Sequence, residues 1–106
     1  MFICNHCPFV VHIAKGLAKV CEDLQQKDVG VVAINSNDIE NYPQDGPEKM
    51  VEFAEQNHFT FPYLFDPTQE IAKEYSAACT PDFFLFNEGI NARCESVKCQ
   101  RINGVR

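Results

Sequence analysis

The sequence predicts an α/β domain with a central, mostly parallel sheet flanked by helices, and three observations carry that expectation. Short β-branched or aromatic runs alternate along the chain with stretches whose apolar residues recur at helical spacing. Residues 29–35, Val-Gly-Val-Val-Ala-Ile-Asn, are apolar on both alternate faces, as in a strand covered on both sides within a parallel sheet. The 106 residues are 45% hydrophobic and include nine Phe and three Tyr, enough for one compact core. Single domains commonly hold about 100 to 150 residues, so a second domain is not expected. Parallel strands would be joined by right-handed crossovers.

Residues 1–3, Met-Phe-Ile, are apolar and strand-like. Pro8 suits the first turn of a helix, where its missing N–H costs little, and Val10, Ala14, Leu17, Cys21 and Leu24 mark one helical face. Lys15, Lys19, Glu22 and Asp23 read as the solvated face of the same helix. After the strand at 29–35, residues 36–47 are rich in Asn, Asp, Pro and Gly and read as a loop at that strand's carboxyl end, a place that often borders a site. Pro47 opens a second helix that should end near His58, with Met50, Phe53, Ala54 and Asn57 on one side. Residues 61–65 form a short strand closed by Asp66-Pro67, and Thr68 can cap a third helix whose apolar face is Ile71, Ala72 and Tyr75. Residues 82–86 read as a further strand ended by Asn87-Glu88-Gly89. The domain is expected over residues 1–88. The charged and polar tail at 89–106 follows no apolar pattern and is left unassigned.

A formal charge of −6 and a pI near 4.9, with scattered basic residues, speak against nucleic acid or an anionic membrane as partner. Six cysteines in a chain this rich in aromatic residues read as chemistry rather than as a covalent framework. No charged leader with an apolar stretch and no run near the roughly 18 apolar residues of a membrane span is visible, so a cytoplasmic location is the expectation.

Cys4-Asn5-His6-Cys7 is the motif that carries chemistry. A strand delivering two thiols, three positions apart, into a helix N-terminus is the geometry of thiol–disulfide exchange, because backbone N–H groups and the helix dipole stabilise a thiolate. Cys4, preceding the helix, is expected to be the exposed nucleophile, and Cys7, one turn in, the resolving thiol. The other readings of the pair are half a zinc site or two buried thiols. His6 either favours the thiolate through a partly protonated imidazole, making the pair more oxidising, or is an ordinary loop histidine. Asp38 and Asp82 flank the active end, where they either shuttle protons or serve turns. His12 and His58 read as surface or packing residues, and Cys21 as core. Cys94 and Cys99 are spaced for a loop bridge or a metal pair, with nothing to support either.

Three segments together resemble the thioredoxin-like redoxins, and more narrowly the alkyl hydroperoxide reductase and thiol-specific antioxidant family. They are Phe2-Ile3-Cys4-Asn5-His6-Cys7-Pro8-Phe9-Val10, Val32-Ala33-Ile34-Asn35-Ser36-Asn37-Asp38, and Ala78-Cys79-Thr80-Pro81-Asp82-Phe83-Phe84-Leu85-Phe86. The resemblance covers about residues 1–88. It implies a thioredoxin-like fold, a cis peptide before Pro81 facing the Cys pair, and backbone hydrogen bonds from Thr80 to a docked thiol substrate. Cys79, two residues earlier, would then lie near the pair as a third redox thiol or, as free cysteine more often does, as a small buried hydrophobe. Family members carry a strand or hairpin before the motif strand and a strand and helix after the last one matched, so the chain resembles a family domain shortened at both ends and incomplete at its C-terminal edge.

The function expected is therefore a Cys-x-x-Cys thiol–disulfide oxidoreductase with an antioxidant or redox-homeostasis role, acting on protein or small-molecule thiols and disulfides. No cofactor and no metal are expected. Two alternatives remain. One is a peroxiredoxin-type peroxidase, against which the resemblance would ask for Thr three residues before the reactive cysteine, where Cys4 precedes Cys7 and Met1 precedes Cys4. The other is a zinc-binding or inactive interaction module using Cys4 and Cys7 with His12, Cys79 or Cys94.

Overall fold

The computed structural model describes residues 1–86 together with the backbone of residues 99–103. Helix α1 (Pro8–Gln26) starts at Pro8, with Cys7 as its extended N-cap. Val10, Ala14, Ala18 and Cys21 are buried along it at intervals of three and four, which is the stripe a 3.6-residue repeat aligns. Leu17 is partly buried and Leu24 stands 36% exposed, so the stripe is narrower than the sequence suggests. Lys15, Lys19, Glu22 and Asp23 are exposed, as expected of the solvated face.

Strand β1 (Ala33–Asn35) is only the last part of the apolar run. Its ladder with the strand at residues 63–65 stops where Ala33 N–H donates to Pro62 O, because Pro62 has no N–H to return. The loop that follows contains a single 3-10 turn (Pro43–Asp45), and α2 (Pro47–Gln56) leaves directly from it. Met50 and Phe53 are buried, and Asn57 closes the helix by donating its side-chain amide to Phe53 O at 2.9 Å.

Strand β2 (Tyr63–Phe65) pairs parallel to β1 in the register Ala33↔Tyr63, Ile34↔Leu64, Asn35↔Phe65. Helix α3 (Glu70–Glu74) is one turn long and buries none of its residues, with Ile71 40% exposed. Its cap differs from expectation. Asp66, 3% exposed, takes the Ala72 N–H at 3.1 Å, while Thr68 Oγ1 makes only a long 3.4 Å contact with Glu70 N–H. Strand β3 (Asp82–Phe86) pairs antiparallel along its length with β4 (Cys99–Asn103). Pattern reading left this part of the tail unassigned because Gln100, Arg101 and Asn103 interrupt any apolar alternation. The boundary expected at residue 88 lies outside the described residues.

The strand expected at residues 1–3 contributes one residue, Phe2, which bridges parallel to Ile34 and antiparallel to Asp82. Phe2 and Asp82 exchange N–H···O bonds of 2.8 and 3.0 Å, and Ile3 N–H and Ile34 N–H close the other side at 3.0 and 2.9 Å. The order is thus β2, β1, Phe2, β3, β4. Because successive side chains point to opposite faces, Phe2 and Ile3 serve different layers. Ile3 joins Val10, Ala14, Cys21, Ala33, Phe53 and Phe61 in the core under α1 and α2. Phe2 packs edge-on against Tyr75, at the end of α3, and Phe84, with centroids 5.6 and 5.7 Å away.

Candidate thiol site

Three pieces of chain meet at the N-terminus of α1. The motif arrives from the core segment at Ile3, the loop after β1 folds over Asn5 and His6, and the turn before β3 brings Thr80 against both sulfurs. The Thr80–Pro81 peptide is cis, as the resemblance implies, and Pro81 is fully buried. Cys4 Sγ lies 3.4 Å from Thr80 Oγ1, and the Cys7 thiol donates to Thr80 O at 3.5 Å. Cys4, Cys7 and Cys21 are free thiols.

The exposure expected of the two motif cysteines is reversed. Cys4 is 0% exposed, whereas Cys7 is only half-buried. The N-cap place belongs to Cys7, so its side chain, and not that of Cys4, stands beside the first turn of α1, without making a side-chain cap hydrogen bond. Burial pushes the Cys7 thiol up, but the Val10 N–H, the Thr80 hydroxyl, the Phe9 N–H and the Cys4 thiol outweigh it, and its pKa falls below the ordinary cysteine value. Burial also pushes up Cys4, and there it prevails over the Thr80 hydroxyl and the Cys7 N–H, with the Asp45 and Cys7 charges adding to the rise.

Beside the sulfurs opens a cavity of about 600 Å³, lined among others by Cys4, His6, Cys7, Tyr42, Cys79 and Thr80. Cys79 is half-buried on this wall, with its Sγ 4.0 Å from Pro81 O, so it is neither sealed in the core nor remote from the pair. His6 is 29% exposed, stacks on Tyr42 at 4.8 Å and 12°, and bonds through Nδ1 to Asp45 Oδ2.

Asp45 is the residue sequence reasoning missed. Its carboxylate is 0% exposed and accepts from Asn5 N–H at 2.7 Å, His6 N–H at 3.2 Å and Asn37 Nδ2 at 2.8 Å, besides the His6 ring. Asn35 Nδ2 donates to its main-chain oxygen at 2.7 Å. Asn5 is held on two further sides, by Gln44 O at 2.9 Å and by the Tyr63 hydroxyl, which donates at 2.9 Å. Burial, with the charges of Cys4 and Asp45, pushes the Tyr63 phenol far above its ordinary value, so it stays a donor. The signal available beforehand was an acid in the loop at the carboxyl end of a parallel strand.

Asp38 and Asp82 both hold turns, and Asp38 also lines the cavity beside the thiols. Asp38 accepts from Glu40 N–H and Asn41 Nδ2, and Asp82 Oδ2 accepts from Ala78 N–H at 3.1 Å. His12 and His58 are exposed, and Cys21 is buried. Among the described residues, a cluster able to hold a metal is formed by Cys4, His6 and Asp45, with ligand atoms within 4.8 Å of one another, a different set from the one the sequence suggests. Cys94 and the side chain of Cys99 lie outside the described residues. No described helix is long and apolar enough to cross a membrane.

A family model described as AhpC/TSA matches residues 1–93. A crystal structure of an uncharacterized conserved protein from Geobacillus kaustophilus is 57% identical with a TM-score of 0.80, covering 82% of this chain and 46% of that one. A hypothetical protein from Sinorhizobium meliloti is 48% identical with a TM-score of 0.79, covering 81% of this chain and 47% of that one. The chain thus spans just under half the length of these relatives. No curated protein matches. A match over residues 1–93, on a thioredoxin-like arrangement of sheet, helices and cis-proline, makes this chain a member of the AhpC/TSA family.

Proposed function

We propose that the chain is a thiol–disulfide oxidoreductase in which Cys7 attacks and Cys4 resolves. The observation that supports this reading is the unequal pair at the head of α1, both members in contact with Thr80: a partly exposed thiol with lowered pKa and a buried thiol with raised pKa. The Cys7 thiolate attacks a substrate disulfide, forming a Cys7–substrate bond and releasing one thiolate, which takes up a proton. Cys4 then loses its proton, attacks Cys7 Sγ and releases the second substrate thiol, so that two electrons pass from the Cys pair to the substrate. The reverse sequence oxidises a dithiol. The cavity beside the sulfurs, open to Thr80, leaves room for a protein or small-molecule disulfide.

Partner trapping tests the order of attack. Cys4→Ser should retain substrates as mixed disulfides on Cys7, while Cys7→Ser should retain none; capture on Cys4 alone would reverse the roles. Family membership also supports a peroxidase reading, with Cys7-Pro8 as the reactive element. Peroxide consumption no faster than that of a free thiol dismisses it.

A further inference from the structure

We propose that the reduced chain binds one zinc ion through Cys4, His6 and Asp45, and that the ion holds Cys4 back from Cys7. Binding of the ion stands apart from the exchange cycle proposed above, and only its effect on Cys4 rests on that cycle. The three side chains come from two segments, the motif and the loop after β1, and their ligand atoms lie within 4.8 Å of one another. In a tetrahedral zinc site the ligand atoms stand roughly 3 to 4 Å apart, a spacing set by bonds of about 2.0 Å to nitrogen and oxygen and about 2.3 Å to sulfur. Closing on an ion therefore takes side-chain movements of about 1 Å and no rearrangement of the chain. The ion enters between the His6 ring and Asp45 Oδ2, which bond to each other directly.

The donor set selects the metal. Calcium and magnesium take oxygen ligands and copper(I) favours sulfur, whereas one thiolate, one imidazole and one carboxylate suit zinc. The thiol gives up its proton on binding, because the thiolate is the ligand. Cys4 and Asp45 are each 0% exposed, and two buried anions side by side are costly unless a dication lies between them. The groups around the ligands already orient them, as the outer partners of metal sites do. Asn5 and His6 N–H hold Asp45 Oδ1, Asn37 Nδ2 steadies Oδ2, Tyr42 stacks on the His6 ring, and Thr80 Oγ1 lies 3.4 Å from Cys4 Sγ. The cavity lined by Cys4 and His6 supplies a way in and leaves a fourth position open, with His6 29% exposed. Cys7 is outside the cluster, so the ion pins the resolving sulfur and leaves the attacking one accessible. A Cys4–Cys7 disulfide has no thiolate to offer, so oxidation of the pair and zinc exclude each other.

Cobalt(II) is the probe, since a tetrahedral cobalt–thiolate centre is coloured. In reduced full-length protein carrying Cys79→Ser, Cys94→Ser and Cys99→Ser, one equivalent of cobalt should give a thiolate-to-cobalt charge-transfer band, and one equivalent of zinc should bleach it. The band should vanish in Cys4→Ser and in the oxidised protein, persist in Cys7→Ser, and need at least about 10-fold more cobalt in His6→Ala and Asp45→Asn. Circular dichroism shows whether each variant has folded, and the partly exposed His6 decides if Asp45→Asn has not. No band at stoichiometric cobalt, a band lost in Cys7→Ser, or one indifferent to His6→Ala overturns the site. An aromatic disulfide such as 5,5′-dithiobis(2-nitrobenzoate) then reads the effect on Cys4, because Cys7 attack releases one coloured thiolate and Cys4 resolution a second. Zinc should slow the second release at least about 10-fold relative to the first, and equal rates with and without zinc overturn the hold on Cys4. Failure of the zinc-free protein to release a second equivalent sinks the exchange cycle, and the hold on Cys4 with it, while binding of the ion stands on the cobalt titration.

Discussion

At Cys7 and Cys4 one chemical group meets two environments three residues apart, and the contrast sets their reactivity. Iodoacetamide should modify Cys7 well before Cys4 at neutral pH, as read by peptide mass spectrometry, because only Cys7 combines access with a lowered pKa. The same shifts govern alkaline stability. Cys4 and Cys21 are raised above 9.0 and Tyr63 above 10.0, so the folded state holds those protons more tightly than the unfolded chain. Their contribution is whole below those ordinary values and is lost as pH climbs through the window above them. Cys7, lowered, works in the opposite sense, contributing above its ordinary value and losing that contribution as pH falls through its folded pKa. The raised groups outnumber it, so the Tm of the reduced protein should drop between about pH 8 and about pH 11, and drop less once Cys4 and Cys7 are joined. Asp45→Ala strips the partner from two partly buried main-chain N–H groups and from Asn37, and should cost about 2 to 4 kcal/mol in urea denaturation. The motif cysteines, His6, Thr80 and Pro81 were readable from sequence because they sit in short, recognisable strings. Asp45 was not, since its partner Asn5 lies forty residues away and only packing joins them.

Among the elements, those with a long apolar repeat were the most legible. α1 and α2 begin where Pro8 and Pro47 place them, and their buried stripes follow the expected spacing. β3 has the length expected, but the strands before it were overestimated because an apolar run reports burial, whereas a ladder also needs a neighbour with N–H and C=O to offer; Pro62 beside Ala33 ends one early. α3 was misjudged for a related reason: five residues cannot present a stripe, and the apolar contact passes to Tyr75 just beyond it, which meets Phe2, Phe84 and Phe86. Two substitutions measure the difference. Phe53→Ala, in the core under α2 and edge-on to Phe59, should cost about 3 to 5 kcal/mol, while Ile71→Ala on α3 should cost less than about 1 kcal/mol. Equal costs at the two sites would contradict the packing described.

For the whole molecule, alternation of strands and helices was enough to anticipate an α/β sheet with cover on both faces, and the Thr-Pro before β3 placed the wall opposite the thiols. What could not be anticipated is how slender the connection between the sheet's two halves is. Among the described residues, β1 with β2 and β3 with β4 are separate ladders that meet at the bridges through Phe2. The motif cysteines follow Phe2 directly, whereas Thr80 belongs to the turn that precedes β3, so parting at that residue would pull Thr80 off the sulfurs while leaving both helices wound. The thiol site is therefore more fragile than the fold that carries it: in a urea series, Phe2→Ala should lose the privileged reactivity of Cys7 at a lower concentration than it loses its helical circular dichroism, as though the reagent were disarmed before its handle broke.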